Sequence, residues 1–343
     1  NMVTKKPTTI KDVARKAGVS ISTVSRVIND SKPVTNEVKQ KVLDVIKETG
    51  YVPNPLARSL VTKRSQLIGV IVPELTDTFS ADILNGIEEV SKMYSYDILI
   101  ANTYSERELE LKSINLLRAK QVEGIVIISW DIDEELVNVL ENIGIPVVFV
   151  SKMTGNFDIY NVSIKNAPAT KEMTNFLIGK GHKRIGLIRT NLNVPEIADE
   201  RLKGYKEALE ENGIKYDEKI VKSCNSSYDD GYATAKLMLK GKKNKPDALF
   251  VTSDEAAIGA INACFDLGYN VPEDISVAGF NDIKFAKIYR PKLTTVSQPL
   301  FDMGAVAIRM VIKMINGEDV GDKIVELPYR IMDRESVSER KEK

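Results

Sequence analysis

The stretch that decides the N-terminal fold runs from residue 8 to residue 29 and reads TTIKDVARKAGVSISTVSRVIN. Its first half carries apolar residues at helical spacing, and Thr9 is predicted to cap this helix because its hydroxyl can accept from the free amides of the first turn. Gly18 ends the helix, and a tight turn through Ser20 leads into a second helix with an apolar inner face. Helix, glycine-containing turn and helix form the layout of a helix-turn-helix, which places its second helix in the major groove of DNA.

Two further segments complete the predicted N-terminal region. A third helix is predicted from about Thr35 to Thr49, and it ends at Gly50. Residues 53–66, PNPLARSLVTKRSQ, predict a short hinge helix followed by a basic linker. An isolated helix this short is unstable in water because helix nucleation is unfavourable, so we expect its order to depend on a partner.

The charge of the chain is divided unevenly along its length. All 343 residues together hold 48 basic and 48 acidic side chains, so the formal net charge is zero. Residues 1–66 hold 13 Lys and Arg against 5 Asp and Glu, a net charge of +8, and the rest of the chain therefore carries −8. Such an asymmetry indicates a nucleic-acid-binding module joined to a larger body.

Length and composition exclude several classes of protein. The 343 residues suffice for two or three domains. Two cysteines, Cys224 and Cys264, make no disulfide framework. No apolar run reaches the ~18 residues of a membrane span, and the N-terminus lacks the layout of a signal peptide. We therefore expect a cytoplasmic protein. The single histidine, His182, opposes most metal centres and His-based catalytic schemes. We therefore expect no enzyme and no cofactor.

From Gln66 onward, apolar β-rich runs alternate with amphipathic helical stretches. The runs read QLIGVIV, YDILIAN, GIVIIS, PVVFVS, RIGLIR, ALFVTS and ISVAGF. Near-continuous apolar strands covered by helices are typical of parallel sheets with both faces buried, and two such series predict two doubly wound α/β lobes. The ligand site of such lobes lies beyond the carboxyl ends of the strands. No glycine-rich dinucleotide motif follows the first strand, and no Walker loop is present.

Seven strings, in order along the chain, resemble the LacI/GalR transcriptional regulators. They are TTIKDVARKAGVSISTVSRVIN, GYVPNPLARSLVTKRSQLIGVIVP, GHKRIG, RLKGYKEAL, TSDEAAIGA, VPEDISVAGFND and RPKLTTVSQP. The resemblance implies a homodimeric repressor that binds a palindromic double-stranded DNA operator, with a core similar to periplasmic sugar-binding proteins. The domains it implies are a headpiece at 1–52, a hinge helix and linker at 53–66, and a core at 67–343, with an N-lobe of about 67–163 plus 296–322 and a C-lobe of about 164–293 plus 323–343.

The resemblance also implies which residues contact DNA. Arg26 can bond guanine bidentately and Ile21 offers only apolar contact, whereas hydroxyls and amides at phosphates fix the register without reading sequence. Leu60 matches a wedge that family members insert into the minor groove. Capping and solvated surface stay open as alternatives for Ser20 and Ser25. The full set comprises the base-reading Ile21, Ser22 and Arg26, the phosphate-contacting Thr9, Ser20, Thr23, Ser25, Asn29, Thr35, Tyr51 and Asn54, and the hinge residues Ala57, Arg58 and Leu60.

A second set of strings resembles the catabolite-control branch of this family in Gram-positive bacteria: MYSYDILIANT, SQPLFDMGAVAIRMVIKMINGE and IVELPYRI. That branch uses as corepressor the phosphocarrier HPr phosphorylated on serine. Arg309 and Lys313 match the pair that receives the phosphoserine, and two cations one helical turn apart can hold a dianionic phosphate. The competing interpretation is that basic residues late in a helix favour its dipole. The other residues expected at this surface are Met93, Tyr94, Tyr96, Phe301, Asp302 and Val306.

Four residues are expected at the cleft between the lobes: Phe79, Arg201, Asp254 and Asn281. Arg201 matches an arginine that grips sugar hydroxyls in relatives, and an inter-lobe salt bridge is an equally open role. Asn281 stands where many sugar-binding members carry Asp, so a charge-assisted acceptor is missing. The alternatives to corepressor control are a regulator of the same fold that responds to a small sugar or sugar phosphate, a periplasmic-type binding protein, and an enzyme.

Overall fold

A computed structural model describes residues 8–29, 32–53, 64–128, 132–151, 157–190, 195–240 and 245–340. The chain divides into two compact units, residues 1–66 and 67–343. The predicted hinge positions Asn54, Ala57, Arg58 and Leu60 lie outside the described residues.

The first unit contains the three helices predicted from the sequence: α1 Ile10–Ala17, α2 Ile21–Asn29 and α3 Asn36–Thr49. Thr9 caps α1 through a capping box with Asp12, in which each side chain bonds the other residue's backbone amide. Gly18 ends α1 at φ +63°, a left-handed conformation that glycine adopts without strain. The small core consists of Val13, Ala14, Ala17, Val24, Val27, Val42 and Val45.

The first lobe of the second unit is built on a sheet of six parallel strands. They are β1 Leu67–Val72, β2 Asp97–Asn102, β3 Gly124–Ile127, β4 Val147–Val150, β5 Tyr160–Ser163 and β11 Ile324–Glu326. Their order in the sheet is β11-β5-β4-β3-β1-β2. Four helices cover the two faces, as predicted for a doubly wound lobe: α4 Thr78–Met93 and α12 Leu300–Ile315 on one, α5 Arg107–Ala119 and α6 Glu134–Ile143 on the other.

The second lobe repeats this plan with one antiparallel edge. Its strands are β6 Ile185–Arg189, β7 Val221–Ser223, β8 Ala248–Val251, β9 Ser276–Asn281, β10 Thr294–Ser297 and β12 Arg330–Met332. Their order is β12-β10-β9-β8-β6-β7, and β12 runs antiparallel to β10. Its helices are α7 Asn166–Gly179, α8 Pro195–Glu211, α9 Tyr228–Leu239, α10 Asp254–Asp266 and α11 Lys284–Ile288.

Within the described ranges the chain crosses between the lobes after β5, after β10 and after β11. Two predicted lobe limits need correction. The strand β11 pairs with β5 in the first sheet, so the return to the second lobe comes after residue 326 rather than at 323. The strand β10 pairs with β9 in the second sheet, so the first lobe resumes after residue 297 rather than at 296. Strand pairing sets both limits, and the sequence pattern does not reveal it.

The helices α4 and α12 cross at two glycines. A Cβ atom on Gly86 would lie 2.0 Å from the carbonyl oxygen of Phe301, and one on Gly304 would lie 2.1 Å from the carbonyl oxygen of Ile83. Backbone therefore packs directly on backbone, which only glycine permits at these positions. The same device joins α7 to α8 at Gly204, and α9 to α10 at Gly231 and Gly259.

No helix in the described part of the chain is both long and apolar enough to cross a membrane.

We predict that Gly304→Ala destabilises the protein by about 1–3 kcal/mol, because the added methyl group must push two helix backbones apart. Gly179→Ala is the matched control, since Gly179 lies in α7 and a Cβ there would meet no atom within 4 Å. Thermal unfolding of both variants checks this. An unchanged melting temperature for Gly304→Ala, or an equal loss in the control, would contradict the close crossing.

Candidate functional site

The helix α2 presents its predicted base-reading side chains to solvent. Ile21 is 44% exposed, and Ser22 and Arg26 are exposed as well. The Ser20 hydroxyl accepts from the Thr23 amide at 3.1 Å, so Ser20 caps α2 while the residue itself stays exposed. An exposed apolar group, a hydroxyl and a guanidinium on one helix face can contact base edges.

The predicted phosphate-contacting residues flank this face. The side-chain amide of Asn29 donates to the Ser25 hydroxyl at 3.2 Å, and both residues are half-buried. Thr35 caps α3 by accepting from the Val38 amide at 3.5 Å. Tyr51 packs against the headpiece core. These side chains therefore support the helix ends and keep polar groups at the surface of the unit.

The helix α12 has a buried side and an exposed side. The spacing of Gly304, Ile308, Val311, Ile312 and Ile315 predicts a buried stripe; the first four are buried, and Ile315 is half-buried. On the opposite side Phe301 is 41% exposed, Val306 is half-buried, and Asp302, Arg309 and Lys313 are exposed.

The two basic side chains of this exposed side are not neutralised. The ion pairs of the described residues include neither Arg309 nor Lys313. The Lys313 ammonium only approaches the carbonyl oxygen of Asp319, at 3.5 Å. Arg309 and Lys313 thus offer two cationic groups one helical turn apart.

The end of α4 carries exposed apolar side chains and points toward the start of α12, because Gly86 lies against Phe301 and Gly304 lies against Ile83. Met93 is 70% exposed and Tyr94 is 50% exposed. The prediction for Tyr96 is wrong, because this side chain is only 6% exposed and packs in the core. Its hydroxyl donates to the Glu123 carboxylate at 3.3 Å, and the adjacent Gly124 lies directly against the Val311 side chain of α12.

A cavity of about 340 Å³ lies between the two lobes. Phe79, Arg201 and Asn281 line it, as expected from the sequence. The other polar side chains of its wall were not anticipated, although several follow directly after strands: Glu74, Thr76, Asp77, Thr78, Ser105, Ser151, Asn225, Ser226, Ser227, Ser253 and Glu255.

Arg201 is the most buried cation of the cavity wall, with 2% of its surface exposed. Its Nε donates to the Asn166 side chain at 3.0 Å, one terminal nitrogen donates to the Thr252 carbonyl at 2.9 Å, and its guanidinium lies 3.8 Å from the centre of the Phe280 ring. Burial lowers the pKa of Arg201 to about 9, so the group stays charged near neutrality. No described carboxylate pairs with it, so the inter-lobe salt bridge is not formed with any described residue.

Asp254 corrects a second prediction, because it does not line the cavity. Its carboxylate is fully buried, accepts from the Thr295 hydroxyl at 2.5 Å and accepts from the Ile283 amide at 2.8 Å. Burial raises the pKa of Asp254 to about 6. The residue therefore ties the loop after β9 to strand β10, and its neighbours Ser253 and Glu255 face the cavity instead.

Two carboxylates of the cavity wall come from opposite lobes. Asp77 caps α4 by accepting from the Phe79 amide at 3.2 Å, and burial raises its pKa. Burial also raises the pKa of Glu255, and the negative charge of Asp77 adds to this effect. The wall thus combines one arginine with the carboxylates of Glu74, Asp77 and Glu255.

The described residues contain no group of three or more His, Cys, Asp and Glu side chains that could hold a metal ion. His182 is buried, and its Nδ1 lies 3.4 Å from the Asp247 carboxylate.

Two family models match separate parts of the chain, one within each compact unit. Residues 9–54 match the bacterial regulatory proteins of the lacI family, and residues 174–337 match the periplasmic binding protein-like domain. Catabolite control protein A of Priestia megaterium is 38% identical over 328 residues, which cover 96% of this chain and 98% of that protein. The chain belongs to the LacI family of transcriptional regulators. As a member of that family it is a DNA-binding protein.

Solved structures agree with this family. The transcription regulator CcpA of Lactococcus lactis has 35% sequence identity and a TM-score of 0.74, with 79% of this chain and 98% of that chain covered. The lac repressor dimer bound to operator and the anti-inducer ONPF has 28% sequence identity and a TM-score of 0.88, and the match covers 97% of this chain and 100% of that chain. The relatives of this LacI-family regulator are transcriptional regulators and not enzymes.

We predict that the titration of Asp254 lowers the free energy of unfolding as the pH rises from about 4 to about 6. Its pKa is about 6 in the folded protein, against about 3.9 in an unfolded chain, so the folded state holds the proton more tightly in this window. Above pH 6 the carboxyl is deprotonated in both states, and the free energy of unfolding is lower by an amount on the order of 3 kcal/mol.

Denaturant unfolding of wild type and Asp254→Asn at pH 4.5 and pH 7 checks this prediction. Because asparagine does not titrate, the stability difference between the two proteins should change with pH. The control variant is Asp97→Asn, which makes the same chemical change at an exposed carboxylate. Parallel profiles for Asp254→Asn would contradict the raised pKa.

Proposed function

We propose that this LacI-family regulator is a homodimeric repressor in carbon catabolite control, which binds a palindromic DNA operator and whose operator affinity is raised by HPr phosphorylated on serine. The observation that carries the corepressor is the pair Arg309 and Lys313, exposed one turn apart on α12 without a carboxylate partner among the described residues. The similarity to catabolite control protein A over nearly the whole chain points the same way.

The phosphoserine fits the chemistry of this surface. A phosphoserine carries close to two negative charges at neutral pH, and guanidinium and ammonium groups bind it through charge-assisted hydrogen bonds. The half-buried Val306 and the exposed Phe301 flank the cations and can pack against apolar side chains of a protein partner. Met93 and Tyr94 at the end of α4 expose further apolar surface, and Met and Tyr are common in protein contacts.

The DNA side of the proposal rests on the headpiece. Its helix α2 exposes Ile21, Ser22 and Arg26, and the segment 1–66 carries a net charge of +8. We propose that these three residues read bases, that Thr9, Ser20, Thr23, Ser25, Asn29, Thr35, Tyr51 and Asn54 bind phosphates, and that Ala57, Arg58 and Leu60 act in the minor groove.

The surface of the second unit is consistent with the binding of a second copy of the chain. The exposed large apolar side chains of the second unit include Ile100 on the edge strand β2, Phe265 on α10, and Phe285 and Ile288 on α11. Exposed apolar groups of this kind favour association. A palindromic operator requires two headpieces related by two-fold symmetry, which a homodimer supplies.

Control by a sugar phosphate in the cavity is less well supported. Among the described residues of the wall, the carboxylates of Glu74, Asp77 and Glu255 outnumber Arg201, which disfavours a phosphate. Arg201 is also engaged by Asn166 and by the Thr252 carbonyl. Asn281 supplies no charged acceptor for a neutral sugar.

We predict that Arg26→Ala weakens operator binding by about 1–3 kcal/mol and relaxes base preference at one position of each half-site, because a bidentate contact to guanine is lost. Sequence selection from a randomised duplex pool measures both effects. Arg15→Ala removes the same charge from the neighbouring helix α1, where Arg15 pairs with Asp12, and should leave base preference unchanged. Equal selectivity for Arg26→Ala and wild type would count against base reading by Arg26.

We predict that Arg309→Ala weakens the binding of serine-phosphorylated HPr roughly 10- to 100-fold, since a charge-assisted hydrogen bond is worth about 1.5–3 kcal/mol. Titration calorimetry measures the affinity, and a gel-shift assay should show unchanged operator binding without HPr. Arg118→Ala is the matched control, because Arg118 is exposed on α5, across the sheet from α12. Wild-type affinity in Arg309→Ala would refute the phosphate site.

A further inference from the structure

The last residue of β9 and the loop that follows it have an unusual backbone at the edge of the cavity. Asn281 has φ +118° and Asp282 has φ +62°, both in the left-handed region that residues other than glycine rarely adopt. Asn281 lines the cavity. Such strain persists only where the surrounding structure holds the residues in place.

A set of side-chain bonds holds this loop to the segment that enters α12. The Gln298 side chain donates to the Asn281 side-chain oxygen at 2.8 Å, and the Ser297 hydroxyl donates to the Asp282 carboxylate at 3.0 Å. Beneath them, the buried Asp254 carboxylate accepts from both Thr295 and Ile283, as described above.

This segment is one of the crossovers between the lobes. Strand β10 ends at Ser297, and α12 begins at Leu300, so only Gln298 and Pro299 lie between them. Gln298 is buried, and its carbonyl oxygen accepts from the Leu300 amide at 2.9 Å. Asn281 is therefore bonded to a residue that lies two positions before the first residue of α12.

Arg201 holds a second crossover in a similar way. Its Nε donates to Asn166, the first residue of α7, directly after the crossover from β5. Its guanidinium also lies over Phe280, the residue before Asn281. Two side chains of the cavity wall thus contact two of the connections between the lobes.

We propose that Asn281 and Gln298 are positioning residues that couple the cavity to α12. A partner docked on the exposed side of α12 then changes the conformation of residues Asn281–Ile283. In the reverse direction, a conformational change of these residues alters the conformation of α12. This inference rests on the proposed function for the identity of the partner, serine-phosphorylated HPr. It assigns to the cavity wall a role in transmitting the corepressor signal that does not require a ligand in the cavity.

Amide hydrogen exchange tests the coupling, with Gln298→Met as the key variant because methionine keeps the volume and removes the side-chain bond to Asn281 but keeps the backbone bond from the Gln298 amide to the Asn281 carbonyl. In the wild type, serine-phosphorylated HPr should slow exchange of residues 279–284 about threefold or more. In Gln298→Met this change should disappear, while the affinity for HPr stays within about threefold. Asn212→Ala is the matched control. It removes a hydrogen bond of the same 2.8 Å length, which the Asn212 side-chain amide donates to Asn175 on α7, away from every crossover.

A second variant tests the coupling without HPr. Asn281→Gly releases the backbone strain and removes the acceptor for Gln298, so residues 298–303 should exchange about threefold faster than in the wild type. Circular dichroism and thermal unfolding verify that each variant is folded.

The outcomes separate the two proposals. If wild type binds phosphorylated HPr but residues 279–284 do not respond, or if Gln298→Met responds fully, the coupling is refuted and the corepressor stands. If wild type does not bind phosphorylated HPr, the proposed function fails, and unchanged exchange at 298–303 in Asn281→Gly refutes the coupling independently.

Discussion

The crossing of α4 and α12 at Gly86 and Gly304 is the contact on which the arrangement of the first lobe depends. Because two helix backbones touch there, α12 cannot rotate about its axis without a clash. This fixes its apolar stripe against the sheet and leaves Arg309 and Lys313 facing solvent. The proposed corepressor surface is therefore a consequence of two missing side chains, one on the buried side of each helix.

The second lobe is connected to this surface through polar contacts. The buried carboxylate of Asp254 and the strained residues Asn281 and Asp282 hold the start of the crossover that continues into α12. Buried polar groups of this kind are costly unless every bond is formed, so small shifts in one partner are transmitted to the next. In the proposed function, the cavity wall and the corepressor surface thus form one connected structure.

Much of the fold could be predicted from the sequence because its strongest elements follow simple periods. The runs around β1, β3, β8 and β9 are almost wholly apolar, and α1, α2 and α3 carry clear capping and stop signals. The helix α7 has no clear apolar period, because its buried side mixes Ala167 and Met173 with Thr170 and Thr174, and Thr174 bonds the Thr170 carbonyl within the helix. Pairing of short strands such as β11 depends on distant partners that no local pattern reveals.

The sites could be predicted less completely. Residue type and position located the exposed sides of α2 and α12 and three residues of the cavity wall. Depth of burial could not be foreseen, and for this reason Tyr96 and Asp254 were assigned to surfaces that they do not reach. The partners of Arg201 and the bonds around Asn281 come from segments far apart in sequence, so only the folded chain brings them together.

The most direct test of the account is the operator affinity of the wild-type protein, measured by fluorescence anisotropy at fixed salt, against rising concentrations of HPr with and without phosphate on its serine. We expect the affinity to rise about tenfold or more with phosphorylated HPr and to saturate, and to stay constant with unphosphorylated HPr. An operator affinity that does not change while phosphorylated HPr is bound would contradict the account.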